Sequence, residues 1–161
     1  METSINLITN AKIAETTFDW MSQLCQTNMK EHYEKAGWDF TNKYEEISTT
    51  ELFLLASDHK SEKNVGFLSF QNDKSDDGRP VTYIYEIQIE SRGTGRGLGK
   101  IMMEKLFEII KEDKENLPSL LMCTIQRSNE VSIKFFTKLG FEIDRESPSD
   151  ETYLILSKRL P

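Results

Sequence analysis

The segment Arg92-Gly93-Thr94-Gly95-Arg96-Gly97-Leu98-Gly99-Lys100 constrains this chain more than any other feature, because glycine stands at every second position. Before it runs Val81–Ile89, rich in β-branched and aromatic residues, which reads as a strand. After it, Leu98, Ile101, Met102, Leu106, Ile109 and Ile110 recur at steps of three and four, which predicts a helix over Leu98–Lys111. A glycine-rich strand-to-helix junction brings bare backbone close to a ligand, since no Cβ intervenes. The first N–H groups of the helix have no intrahelical acceptor, and the helix dipole favours an anion there. The junction therefore predicts a cradle for a phosphate or pyrophosphate.

Two common phosphate motifs are excluded. A Walker A loop would need glycine at Thr94 and a hydroxyl at Ile101. A dinucleotide fingerprint, Gly-x-Gly-x-x-Gly, fails in every register: begun at Gly93, Gly95 or Gly97, it ends on Leu98, Lys100 or Met102. The pattern that remains is Arg-x-x-Gly-x-Gly, on Arg92, Gly95 and Gly97.

The rest of the chain supplies helices on either side of a sheet. Phe18, Met21, Cys25 and Met29 mark one face of a helix from about Thr16, with Gly37 as its C-cap. Tyr44–Ile47 predicts a second, short helix. Leu52–Ser57 and Val65–Phe70 read as strands, and polar Asn72–Pro80 as the hairpin loop leading into Val81–Ile89. Leu120–Ile125 predicts a buried strand, Glu130–Leu139 a helix closed by Gly140, and Phe141–Ile143 and Tyr153–Leu156 two final strands. The expected fold class is α/β (α+β): one mixed, mostly antiparallel sheet flanked by helices. No repeat or low-complexity linker interrupts the 161 residues, so a single domain over 1–161 is expected.

Composition narrows the function. The net charge of −7 argues against direct binding of nucleic acid, which needs a basic face. The two cysteines, Cys25 and Cys123, are too far apart in sequence to suggest a disulfide framework or zinc cluster, and His32 and His59 show no ligand spacing, so no metal is expected. With no apolar run approaching a membrane span and no leader-like start, a reducing, cytoplasmic or nuclear location is expected, with no membrane partner.

Glu86 stands in the apolar run Tyr83-Ile84-Tyr85-Glu86-Ile87-Gln88-Ile89. A carboxylate on a central strand is costly unless it is paired or used, so Glu86 is the candidate general base, with outward exposure as the alternative. The backbone N–H of Ile87 is the candidate donor to a carbonyl oxygen as charge develops on it. Cys123 lies in an apolar run without a neighbouring histidine and reads as core packing. Asn129 opens the stretch Asn129–Phe136 and Leu139-Gly140-Phe141, either as a helix N-cap or as a ligand contact.

Arg92-x-x-Gly95-x-Gly97 resembles the coenzyme A loop of GNAT acetyltransferases. From about Phe18 to Arg159 the chain is similar to the NatD-type N-α-acetyltransferases, which modify histone 4 and histone 2A. The resemblance rests on Thr27-Asn28-Met29, Tyr33-Glu34, Trp38, Tyr83-x-Tyr85-Glu86-x-Gln88, Gly97-Leu98-Gly99-Lys100, Phe135-Phe136, Phe141-Glu142-Ile143-Asp144, Ser147-Pro148-Ser149 and Tyr153-x-Ile155-Leu156-Ser157-x-Arg159. It implies a GNAT fold and direct transfer from acetyl-CoA to a protein α-amine. Glu86 would be the base, with Tyr85 beside it. Ile87, Gln88, Ile89, Arg92, Gly95, Arg96, Gly97, Leu98, Gly99, Lys100 and Asn129 would hold acetyl-CoA. Tyr33, Trp38, Asp73, Tyr85, Thr124 and Tyr153 would line the peptide site, with the N-terminal helices (about 12–48) contributing. The implied partners are the N-termini of histone 4 and histone 2A, beginning Ser-Gly-Arg-Gly, met by a monomer. Asp73, Asp76, Asp77, Asp144, Glu146, Asp150 and Glu151 would then form a negative rim around the peptide. A GNAT enzyme for small amines and a non-catalytic acetyl-CoA-binding module are the alternatives, and a carboxylate at Glu86 argues against the module.

Overall fold

The computed structural model describes residues 1–161. Seven strands form one sheet in the order β1-β2-β3-β4-β5-β7-β6. They are β1 (Thr3–Thr9), β2 (Leu52–Asp58), β3 (Asn64–Lys74), β4 (Pro80–Ile89), β5 (Leu120–Gln126), β6 (Glu142–Ile143) and β7 (Tyr153–Arg159). Every neighbouring pair is antiparallel except β4 and β5, which run parallel. This is the mixed, mostly antiparallel sheet expected from the sequence, and it has the strand pattern of the GNAT fold.

The helices cover the two faces. α1 (Glu15–Ala36) and α2 (Lys43–Ser48) bury Phe18, Met21, Leu24, Cys25 and Ile47 against Phe53, Leu55 and Phe67 on one face. α3 (Leu98–Glu112) and α4 (Glu130–Lys138) bury Leu98, Met102, Met103, Leu106, Ile110 and Phe136 against Leu54, Leu68, Phe70, Ile84 and Cys123 on the other. The period-two alternation of β2 thus serves two cores, Phe53 and Leu55 facing one and Leu54 and Ala56 the other. Gly37 caps α1 in the left-handed region at φ 71°, where its N–H reaches the carbonyls of Glu34 and Tyr33.

Two elements depart from the sequence reading. Thr3–Thr9 is an edge strand on β2, although its polar flanks and irregular burial hide any alternation. β3 runs on to Lys74, pairing residue by residue with Thr82, Val81 and Pro80, so the hairpin tip is only Ser75–Arg79. The polar residues Asn72, Asp73 and Lys74 read as loop because the end of this ribbon projects into solvent and has no apolar face to bury.

Candidate active site

The site begins at a fault in the sheet. Ser69 of β3 pairs with Glu86 of β4, but the next β3 residue, Phe70, pairs with Ile84, leaving Tyr85 as an extra residue. Such a bulge breaks the strict alternation of side chains and bends the strand. Beyond it the parallel partner is lost, since β5 pairs with β4 only at Thr82, Tyr83 and Ile84. From Tyr85 to Ile89 the edge of β4 that faces β5 is open, and so is the facing edge of β5 from Thr124 onward.

A cavity of about 910 Å³ fills this opening. Ile87, Gln88, Ile89, Thr94, Gly99 and Asn129 line the end next to the glycine junction, and Tyr33, Trp38, Tyr85 and Thr124 its other end. Glu86 lies between, with a side chain only 10% exposed. Lys43 Nζ donates to Glu86 Oε1 at 2.9 Å, and Gln88 Nε2 to Glu86 Oε2 at 3.0 Å. Asn28 of α1 donates to Gln88 Oε1 at 3.1 Å, which ties the helix to this carboxamide. Lys43 also meets Glu46 Oε2 at 2.9 Å and lies 5.3 Å from the centre of the Tyr33 ring. Burial works against the charge on Lys43, but Glu86, Tyr33 and the hydrogen bonds it donates to both glutamates outweigh it and hold the ammonium above the usual lysine range. Burial, and then the nearby charge of Glu86, push the Tyr33 phenol and the Cys25 thiol up, so neither ionises at neutral pH.

At the glycine junction next to this end, the N–H groups of Gly95, Arg96, Gly97, Leu98, Gly99 and Lys100 find no acceptor within the protein, and the first helical bond of the junction runs from Ile101 to Gly97 O at 3.1 Å. Gly95 and Gly97 have φ of 72° and 75°, which other residues rarely adopt, and a Cβ on either would meet nothing within 4 Å. Gly99 serves packing instead: its Cβ would come within 3.1 Å of Phe135 on α4. The Leu98 side chain is buried in the core, so only its backbone is available to a ligand. Arg96 and Lys100 are exposed beside these amides. Arg92, expected to hold acetyl-CoA, is engaged within the protein. Its Nε binds Glu90 Oε2 at 2.7 Å and its Nη2 the Asn64 carbonyl at 3.1 Å, so the guanidinium fastens the loop to β3 and β4. Asn129 caps α4 by accepting from the Ser132 N–H at 3.2 Å, and it lines the cavity as well.

The other end is aromatic. Trp38 stacks on Tyr33 with ring centres 5.7 Å apart and leans towards Tyr153 at 6.1 Å. Tyr83 and Tyr85 lie 4.8 Å apart; the Tyr83 hydroxyl bonds Thr124 Oγ1, and the Tyr85 hydroxyl donates to Asp73. Burial and then the Asp73 carboxylate push the Tyr85 phenol up. Asp73 and Tyr153 stand at the border of the lining, in contact with Tyr85 and Trp38. The negative rim is smaller than expected. Arg79 binds Asp144 in bidentate fashion, at 2.6 and 3.1 Å, and Asp77 at 2.8 Å, while Arg145 binds Asp77 at 2.8 Å. Asp77 and Asp144 are thus neutralised in a latch between the hairpin tip and the β6–β7 connection, with Glu146 bonded to the Asp77 N–H. Asp73, Asp76, Asp150 and Glu151 remain exposed.

Sequence reasoning did not find Lys43 or Ser69. Lys43 lies on a six-residue helix and meets Glu86 only through the tertiary fold. Ser69 reads as an ordinary strand residue. Asn28 stood only within a longer motif, and a polar residue on the sheet-facing side of α1 was its one local signal. No group of three or more His, Cys, Asp or Glu side chains is arranged to hold a metal, and no helix is long and apolar enough to cross a membrane.

Solved structures share this fold. The chain is 17% identical to one in the NatC complex bound to Gag peptide and CoA, covering 100% of both chains with a TM-score of 0.70. It is 15% identical to the PaiA N-acetyltransferase of Thermoplasma acidophilum in complex with coenzyme A, covering 99% of this chain and 100% of that one, with a TM-score of 0.72. It is 10% identical to Arabidopsis thaliana NAA60 in complex with a bisubstrate analogue, covering 98% and 100%, with a TM-score of 0.71. At these identities the likeness is one of fold. The acetyltransferase (GNAT) family itself matches residues 15–141, a span that holds the bulge, the open strand edge and the glycine junction. An acetyltransferase of this kind takes its acetyl group from acetyl-CoA, and this chain belongs to the GNAT acetyltransferase family.

Proposed function

We propose that this chain acetylates the N-terminal α-amine of a protein, and that its substrates are histone 4 and histone 2A, whose N-termini begin Ser-Gly-Arg-Gly. The observation that carries this reading is one cavity with two unlike ends and a carboxylate between them. The unpaired amides of Gly95–Lys100 suit the pyrophosphate of acetyl-CoA, and the open edge of β4 at Ile87–Ile89 suits its pantetheine arm. The aromatic end is bordered by Trp38 of the α1–α2 connection, which suits a peptide. The motif resemblance at Tyr33, Trp38, Tyr85 and Tyr153 supplies the histone assignment.

In this reading acetyl-CoA and the peptide occupy the cavity together. An α-amine has a pKa of about 7.7–8, so a single well-placed base suffices. One proton of the ammonium passes to Glu86, and the nitrogen attacks the thioester carbon while the Ile87 N–H steadies the oxygen. The C–S bond breaks and the sulfur takes the second proton. Tyr85 and Thr124 hold the peptide end of the reacting group, and Asp73 meets the arginine at the third peptide position. Histone modification would place the protein in the cytoplasm and nucleus. A CoA-release assay over peptides and polyamines tests this. Turnover is expected with Ser-Gly-Arg-Gly peptides, and turnover with polyamines alone would replace this reading by the small-amine one.

A further inference from the structure

Both oxygens of Glu86 are already engaged. Oε1 accepts from Lys43 and Oε2 from Gln88, and little of the side chain reaches the cavity surface. An incoming amine cannot take both places without breaking a buried ion pair. Beside this carboxylate lies an anomaly. Ser69 is 0% exposed, and its Oγ is the only buried side-chain polar atom of the chain without a hydrogen-bond partner. Buried hydroxyls are rarely left so, and one that is calls for a missing partner. Ser69 lines the cavity and is the direct cross-strand partner of Glu86. Paired residues of an antiparallel ladder present side chains on the same face, with Cβ atoms about 4.5–5.5 Å apart. A water fits such a place when about two to four polar groups converge on it. Here the groups are Ser69 Oγ, a second lone pair on a Glu86 oxygen, and the acceptor amine.

We propose that Ser69 is a positioning residue: its hydroxyl holds, beside Glu86, the water that carries the acceptor's proton to the carboxylate. One N–H bond of the acceptor ammonium breaks as the water takes that proton, and the water passes one of its own to Glu86. The nitrogen then attacks the thioester, and the sulfur leaves as thiolate and takes the nitrogen's second proton. Lys43 and Gln88 keep their bonds to Glu86 throughout. The inference rests on the reading of this cavity as the acetyl-transfer site.

The test is Ser69→Ala, which removes one oxygen and leaves the strand and cavity otherwise alone. The melting temperature should hold, because no hydrogen bond to another protein group is lost. Calorimetric affinity for acetyl-CoA should be unchanged. The kcat should fall roughly ten- to a hundredfold, less than the roughly 10²–10⁴-fold of losing the base itself, and the rise of kcat with pH should move to higher pH. Ser69→Thr, which keeps the hydroxyl, should restore most of the kcat. An active wild-type enzyme whose Ser69→Ala variant keeps both kcat and pH profile overturns this inference alone. A wild-type protein that binds acetyl-CoA and acetylates no amine overturns the functional reading, and this inference with it.

Discussion

Glu86 is held by two donors and its partner Lys43 by two acceptors, so substitutions at the two positions should separate chemistry from stability. Glu86→Gln keeps the shape and can still accept from Lys43. It should leave acetyl-CoA affinity unchanged and lower kcat about 10²-fold, and near-normal turnover across pH 7 to 9 would remove Glu86 as the base. Lys43→Met strands a carboxylate that is 10% exposed, and losing one partner of a buried pair costs about 3–5 kcal/mol. Denaturant unfolding should show that loss for Lys43→Met and much less for Glu86→Gln. Cys123 offers the contrasting case. It lines the cavity, but burial alone pushes its thiol far up, so it carries no thiolate at neutral pH. Cys123→Ala should keep its activity, and intact-mass spectra with acetyl-CoA should show no acetyl group on Cys123.

The elements around the site divide into a ligand loop and a latch. At the loop, a side chain on Gly97 would meet no protein atom but would enter the space in front of the unpaired amides. Asparagine tolerates positive φ, so Gly97→Asn should fold and bind acetyl-CoA more weakly by calorimetry. Unchanged affinity would sink the cradle. At the latch, burial pushes the Asp144 carboxyl up, but Arg79, the Ser157 hydroxyl and the Glu146 N–H outweigh it and bring it down to about 2. An unfolded aspartate titrates near 3.9. The contribution to stability is therefore present above about pH 4 and lost as pH falls towards about 2. The wild-type melting temperature should fall more steeply over that window than that of Asp144→Asn.

The legibility of these elements in the sequence follows from what creates them. The glycine junction, the stripe of α3 and the carboxylate at Glu86 are local patterns of period, breaker and misplaced charge, and they could be read directly. Strand β1 could not, because an edge strand buries too little to alternate. Lys43–Glu86, Ser69 and the latch could not, because each joins segments that only the sheet order brings together. Asp77 and Asp144 looked free in sequence because nothing local pairs them with Arg79 and Arg145.

For the whole molecule, the claim is that an acidic GNAT domain with net charge −7 directs its aromatic end towards a cationic protein terminus. With Asp77 and Asp144 spent in the latch, Asp73 is the carboxylate left beside Tyr85 to meet an arginine. A charged hydrogen bond there is worth about 1.5–3 kcal/mol, or roughly ten- to a hundredfold in kcat/KM. Ser-Gly-Arg-Gly peptides should be preferred over Ser-Gly-Ala-Gly by that factor, and Asp73→Ala should erase part of the preference. The most direct measurement offers the wild-type enzyme, with acetyl-CoA, a Ser-Gly-Arg-Gly peptide that also contains an internal lysine. The same peptide with its α-amine blocked is run in parallel, and the acetyl group is located by fragmentation mass spectrometry. One acetyl group is expected, on the α-amine, with no turnover of the blocked peptide. Acetylation of the lysine in the blocked peptide at a comparable rate would contradict it.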